Sequence, residues 1–72
     1  MIITFVMVEE TAALLAQNAI GGDIIRTWNG LCDLQLKNHR LDVRDTYVII
    51  RTNNSNNTFA LGVTDFRSID IR

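Results

Sequence analysis

The strongest constraint on this chain is an alternation of apolar and polar residues that begins after the first third of the sequence. Successive side chains of a β-strand point to opposite faces, so a period of two is typical of strands that bury one face. Leu34 and Leu36 alternate with polar neighbours, and Leu41 and Val43 do the same. The pattern predicts about five short strands over residues 23–72, joined by tight connections.

Turn signals separate these predicted strands. Asn29-Gly30 indicates a hairpin, because both residue types tolerate the positive φ angles that a two-residue turn requires. Residues 37–40 indicate a second turn, and the polar stretch 53–57 indicates a loop at a hairpin tip. The strongly apolar stretches 47–50 and 59–63 are predicted to be strands.

The first third of the chain carries a different pattern. Residues 2–8 form a continuous run of branched and aromatic side chains, which predicts a strand that is buried on both faces or covered by a helix. Glu9 and Glu10 favour a helix start, because acidic groups suit the positive end of the helix dipole. The helix is predicted over about residues 9–20 and is ended by Gly21-Gly22, since glycine adopts the left-handed C-cap conformation. Its apolar face comprises Ala12, Leu15, Ala16, Ala19 and Ile20.

The chain of 72 residues is predicted to form a single domain, residues 1–72. A domain this small buries only about 60% of the surface of its unfolded chain, which favours stabilisation by self-association. Cys32 is the only cysteine and His39 the only histidine, so neither an intrachain disulfide nor a structural zinc site is expected. Residues 2–8 are too short to span a bilayer and lack a basic segment before them, so we expect a cytoplasmic protein without a membrane partner or a cofactor.

Charge is unevenly distributed along the chain. Residues 1–25 carry −3 and the remaining residues carry +2, for a net charge of −1. The total argues against a generic polyanion-binding protein, whereas the mildly basic second part fits either solvated strand faces or a local phosphate-contacting surface. No enzymatic activity is predicted, because Ser55 and Ser68 lack the glycine pattern of a nucleophile elbow and the spacing of the aspartates around His39 selects no triad.

Three stretches in the β-rich part follow a pattern found in one protein family. They are Asn29-Gly30 behind an apolar strand, the segment Asp-Thr-Tyr-Val-Ile-Ile at 45–50, and the closing stretch 66–71. Together they resemble the Sm/Hfq family of RNA-associated proteins. The resemblance implies a mainly β fold with one N-terminal helix and a small, strongly bent, five-stranded antiparallel barrel of the Sm-like or SH3-like type. Residues 2–8 would be an additional N-terminal segment.

The resemblance also implies a function, which is a homo-oligomeric ring that binds single-stranded RNA. Tyr47 would lie at the inner rim and stack on a base, a contact that is worth about 1–3 kcal/mol and tolerates any base. The implied RNA-binding residues are Lys37, His39, Arg40, Arg44, Asp45 and Tyr47. The expected subunit interface comprises Tyr47, Ile50, Phe59, Leu61 and Val63, through strands 47–50 or 59–63.

The residues themselves leave alternatives open. Tyr47 also suits the start of a core strand, Asp45 suits a turn or bulge, and His39 suits an exposed loop. Trp28 is expected to be buried against the helix or against a neighbouring subunit.

A second function of a different class is a compact protein-interaction module, such as a phage-encoded modulator of a host protein, with no nucleic-acid role. The near-neutral charge favours it. So does the stretch Gly62-Val63-Thr64, which stands where bacterial members of the family carry a Tyr-Lys-His signature.

Overall fold

Seven strands and one short helical segment make up the described part of this protein. The computed structural model describes residues 1–19, 21–52 and 58–72. The helix α1 (Glu9–Leu14) continues directly into a π-helical turn, Leu15–Ala19. The strands are β1 (Ile2–Val8), β2 (Asp23–Trp28), β3 (Leu31–Lys37), β4 (His39–Val43), β5 (Tyr47–Thr52), β6 (Thr58–Gly62) and β7 (Phe66–Ile71).

The strands form two antiparallel sheets. One sheet has four strands in the order β2-β3-β1-β7, and the other has three in the order β4-β5-β6. The prediction of a mainly β fold with one short N-terminal helix is therefore confirmed. A closed five-stranded barrel is not found within the described ranges, where β3 and β4 follow one another in the chain but belong to different sheets.

Strand β1 lies inside the four-stranded sheet, between β3 and β7. Its side chains alternate, because Ile3, Phe5 and Met7 are fully buried whereas Thr4 and the other outward residues are partly exposed. Residues 2–8, which the resemblance implies to be an additional N-terminal segment, thus form the predicted strand and lie in the interior of this sheet. Burial on both faces is wrong, because only one face of this sheet meets the core.

The core lies between the inner faces of the two sheets and α1. Ala12 and Leu15 are fully buried in it and Ala16 packs against it, which confirms these members of the predicted helix face. The rings of Phe5 and Phe66 meet at a centroid distance of 6.1 Å and an angle of 59°, a tilted geometry that suits their quadrupoles. The buried cluster comprises Ile3, Phe5, Met7, Ala12, Leu15, Cys32, Leu34, Leu36, Ile50 and Leu61.

The ends of the helix and of the first hairpin follow local backbone preferences. The predicted helix over 9–20 is helical through Ala19, although its second half is π-helical, and Ile20 lies outside the described residues. Gly21 then has a φ of 73°, as a left-handed C-cap requires. Asn29 and Gly30 have φ angles of 47° and 77°, which confirms the predicted two-residue hairpin between β2 and β3.

The second predicted turn, at 37–40, is wrong. Strand β3 ends at Lys37 and β4 begins at His39, so only Asn38, with a φ of 60°, separates them. Asn38, in its left-handed conformation, interrupts the alternation of inward and outward side chains. Before it the even-numbered Leu34 and Leu36 are buried, and after it the odd-numbered His39 is buried. His39 is therefore 5% exposed instead of lying at an exposed turn, and its Nδ1 lies at hydrogen-bond distance from the Lys37 carbonyl oxygen.

Candidate nucleic-acid interface

The side of the three-stranded sheet that faces away from the core, here called the outer face, carries two of the six predicted RNA-binding residues, Arg40 and Tyr47. Val48, Ile50 and Leu61 point into the core, so residues that alternate with them point outward. The register places directly opposite residues on the same side of the sheet. The outer face comprises Arg40, Asp42, Tyr47, Ile49, Arg51, Thr58, Ala60 and Gly62.

Tyr47 stands at one end of the outer face and is 41% exposed. Its cross-strand partner is Gly62, which has no side chain to cover the flank of the ring. The backbone beneath Tyr47 is fixed on both sides, because its carbonyl oxygen accepts a 2.9 Å hydrogen bond from the Arg44 amide and the Thr46 carbonyl accepts a 3.1 Å bond from the Val63 amide. The ring is thus available to a flat ligand. Tyr47 is also the first residue of β5, as expected if it begins a core strand.

Two arginines occupy the other end of the outer face. Arg40 and Arg51 are direct register partners on β4 and β5. The Nε of Arg51 donates a 3.2 Å hydrogen bond to Oδ2 of Asp42, and both of these side chains are close to half exposed. Arg51 was not predicted to be a site residue, although the alternation along β5 places Tyr47 and Arg51 on the same side of the strand.

The other predicted RNA-binding residues do not all join this surface. Arg44 and Asp45 are exposed in the connection between β4 and β5, beside Tyr47, where Asp45 occupies a bend. Lys37 is exposed at the end of β3, in the other sheet. His39 was wrongly assigned to a basic rim, because its ring is buried and its Nε2 has no hydrogen-bond partner within the described residues.

The predicted interface residues fall into two groups. The side chains of Ile50 and Leu61 are buried in the core of the single chain, so neither is exposed to contact a neighbouring subunit. The 47–50 strand is also unable to pair with a neighbouring subunit, since β5 already has β4 and β6 on its two edges. Among the described residues, strand β6 is paired along one edge only; its Phe59 is half-buried, and Val63, the residue after its last one, is 46% exposed.

Trp28 and Cys32 lie outside the outer face. The Trp28 ring is half-buried and the guanidinium of Arg26 sits 4.4 Å above its centroid, held by a 3.1 Å ion pair between Nε of Arg26 and Oδ2 of Asp33. The side chain that packs on the Trp28 ring is thus an arginine of the same hairpin.

Burial, with the carboxylates of Glu9 and Asp33, raises the pKa of the Cys32 thiol, so the protonated form is favoured and nucleophilic chemistry is disfavoured. The predicted loop at 53–57 lies outside the described residues.

The last observations concern membrane-spanning helices, metal sites and similarity to known proteins. Within residues 1–19, 21–52 and 58–72, no helix is long and apolar enough to cross a lipid bilayer. The same part of the chain contains no group of three or more His, Cys, Asp or Glu residues placed to hold a metal ion. No protein-family model, curated protein or solved structure was found to match this chain.

Proposed function

We propose that this protein binds single-stranded RNA on the outer face of its three-stranded sheet, as a non-catalytic and homo-oligomeric protein. The observation that carries the proposal is the placement of an uncovered aromatic ring, Tyr47, on the same side of the sheet as Arg40 and Arg51. Aromatic side chains stack on bases of any sequence, and arginines contact the phosphate backbone. A sheet surface that carries both groups suits an unpaired strand whose bases are free to stack.

An Sm-like arrangement remains part of this proposal. If β3 and β4 are counted as one strand bent at Asn38, the strands β7, β1, β3–β4, β5 and β6 form a path of five antiparallel neighbours. Five is the number of strands that the Sm-like resemblance implies. In this interpretation β1 is the first strand of the bent sheet, and α1 with β2 is an insertion between the first and second strands.

We place self-association at the free edges of β6 and β7. Within the part of the chain that the structure describes, each of these strands is paired on one side only, and an open edge is a template for pairing with another chain. Pairing of β6 in one copy with β7 in the next is a head-to-tail contact, which generates a ring when the rotation closes. Val63 and Ile71, which are 46% and 52% exposed, would be covered at such a contact.

Solution mass tests the assembly. Light scattering at tens of micromolar should give a mass that is a multiple of the single chain. Val63→Asp should lower that mass, whereas Val43→Asp, which alters a 73% exposed valine at the end of β4, the other edge strand of the same sheet, should leave it unchanged. A clean monomer for the wild type would contradict the ring.

RNA binding is tested by fluorescence anisotropy with short U-rich and A-rich RNA over a salt series that starts at low salt. Tyr47→Ala should weaken binding by about 5- to 150-fold, the equivalent of one lost stacking contact, and Tyr47→Phe should retain it. Arg44→Ala should mainly flatten the salt dependence. Failure of the wild type to retain either RNA at low salt would remove this function and leave the fold untouched.

A protein-interaction module is the second candidate, and strand β2 favours it. Strand β2 is an edge strand in which five of six residues are exposed, including Ile24 and Ile25 at 41% and 53%. An extended segment of a partner, such as a host protein, would add a strand to this edge. Binding of that kind buries apolar surface and should survive salt concentrations that release RNA. A reducing compartment such as the cytoplasm suits either function, because Cys32 is a single buried thiol.

A further inference from the structure

Two arginines are directly opposite each other on β4 and β5, so the register pairs two positive charges and no carboxylate. Arg40 and Arg51 are direct cross-strand partners, and directly opposite like charges destabilise an antiparallel pair. Among the described residues, Arg40 forms no salt bridge. The free protein therefore carries an unfavourable pairing that an anion placed between the two guanidinium groups would relieve.

Asp42 restricts one of these two arginines. It lies on the outer face two residues after Arg40, and its Oδ2 accepts the Nε–H bond of Arg51 at 3.2 Å. This contact uses the Nε–H of the Arg51 guanidinium, and among the described residues no hydrogen bond engages its terminal nitrogens. A planar group held from one side is well suited to binding phosphate oxygens through parallel N–H bonds.

The space around these side chains is large enough for a phosphate group. Arg40, Leu41, Asp42 and Arg51 line an open groove of about 300 Å³. Two positive side chains and one carboxylate leave the groove with a local excess of positive charge. Because the groove is open to solvent, an anion can enter it as part of a longer chain.

We propose that the Arg40–Arg51 pair is a phosphate subsite that binds the phosphodiester groups of a single strand, with Asp42 as a positioning residue. This inference rests on the proposed function and names the contact that holds the backbone. Arg51 and Tyr47 are four residues apart on β5, about 13 Å along an extended strand, so one ligand strand can reach both. Tyr47 then contacts a base, and the arginine pair contacts the phosphates.

The test uses two oligomers of equal length, one a U-rich RNA and the other an abasic deoxyribose-phosphate chain that offers phosphates without bases. Binding is measured over a salt series for the wild type, Arg40→Gln, Arg51→Gln and Tyr47→Ala. Arg67→Gln is the matched control, because it removes the same charge from an exposed residue of β7 in the other sheet. Thermal unfolding of each variant confirms folding, and relief of the repulsion should leave the midpoint of Arg40→Gln equal to or above that of the wild type.

We expect the abasic oligomer to bind the wild type. Each loss of one phosphate contact should reduce the slope of log K against log salt by about 0.7, so Arg40→Gln and Arg51→Gln should lower the slope with both oligomers. Arg67→Gln should leave the slope unchanged. Tyr47→Ala should weaken the RNA complex and leave the abasic complex unchanged. Inorganic phosphate should displace the abasic oligomer only weakly.

Failure of the subsite differs from failure of the proposed function. If the abasic oligomer does not bind, or if Arg40→Gln and Arg51→Gln change the slope no more than Arg67→Gln, the subsite is overturned even where RNA binding still depends on Tyr47. Full displacement by inorganic phosphate at equal phosphate concentration would overturn the assignment to a strand. If both arginines control the slope but Tyr47→Ala binds RNA as the wild type does, base stacking fails and the phosphate subsite stands.

Discussion

Replacing Ile3 by valine tests the position of β1 inside the four-stranded sheet. Ile3 is fully buried between Leu36 of β3 and Ile71 of β7. Removing one buried methyl group forfeits about 0.8 kcal/mol of transfer free energy, and with the small cavity left behind the cost of Ile→Val is about 0.5–1.5 kcal/mol. In a domain of this size, 1 kcal/mol lowers the melting temperature by about 4–8 °C, so we expect a decrease of about 2–12 °C.

Ile2→Val is the matched control for this substitution. It removes the same methyl group from the adjacent residue, which points to the opposite face of β1 and is 37% exposed. Its effect should stay within about 0.5 kcal/mol. Thermal and urea unfolding, followed by the fluorescence of Trp28, measure both variants. An equal or larger effect for Ile2→Val would refute the assignment of the two faces of β1.

Three further substitutions have outcomes that single contacts decide. Gly22→Ala should cost about 1–3 kcal/mol in urea unfolding, because an added Cβ would lie 2.6 Å from Cδ2 of Leu36; an unchanged midpoint would show that the backbone yields instead. Ile50→Asp should unfold the domain at neutral pH, because it places an unpaired carboxylate in the core, and a native circular dichroism spectrum would contradict this. Burial raises the pKa of the Cys32 thiol in the folded state, so above the ordinary pKa of a thiol only the unfolded chain ionises readily, and the free energy of unfolding should fall as the pH rises. Cys32→Ala should flatten this part of the plot of stability against pH. An equally steep plot for the variant would exclude this thiol as the cause.

Local signals in the sequence were sufficient wherever structure depends on neighbouring residues. Asn29-Gly30 predicted its hairpin because positive φ angles are a property of those two residues alone. The apolar run at 47–50 predicted a strand, because branched and aromatic side chains favour the extended backbone, and β5 confirms it. Tyr47 became a candidate contact through the resemblance to the Sm/Hfq family, and the alternation along β5 places it opposite to the core residues Val48 and Ile50.

The errors arose where structure depends on distant residues or on one unusual dihedral angle. The position of β1 is fixed by pairing with β3 and β7, and nothing within residues 2–8 specifies those partners. His39 was misplaced because its polar neighbours Lys37 and Arg40 indicate a turn, whereas a single left-handed Asn38 bends the chain and turns the imidazole inward. Arg51 lies on the same side of β5 as Tyr47 by simple alternation, whereas its position opposite Arg40 depends on the register of β4 and β5, which the sequence does not specify.

The location of β1 between β3 and β7 has a consequence for how the protein folds as it is synthesised. About 60 residues separate β1 from β7, so at about 5–20 residues per second the ribosome takes roughly 3–12 seconds to deliver the second partner. During that time Ile3, Phe5 and Met7 lie on a strand with an unsatisfied edge, in a segment that contains neither proline nor charge before Glu9. Pairings of such long sequence separation also slow folding, because the entropy of loop closure precedes the contact that offsets it. The nascent chain is therefore expected to be most prone to aggregation before β7 emerges, and to lose that tendency once the four-stranded sheet is complete.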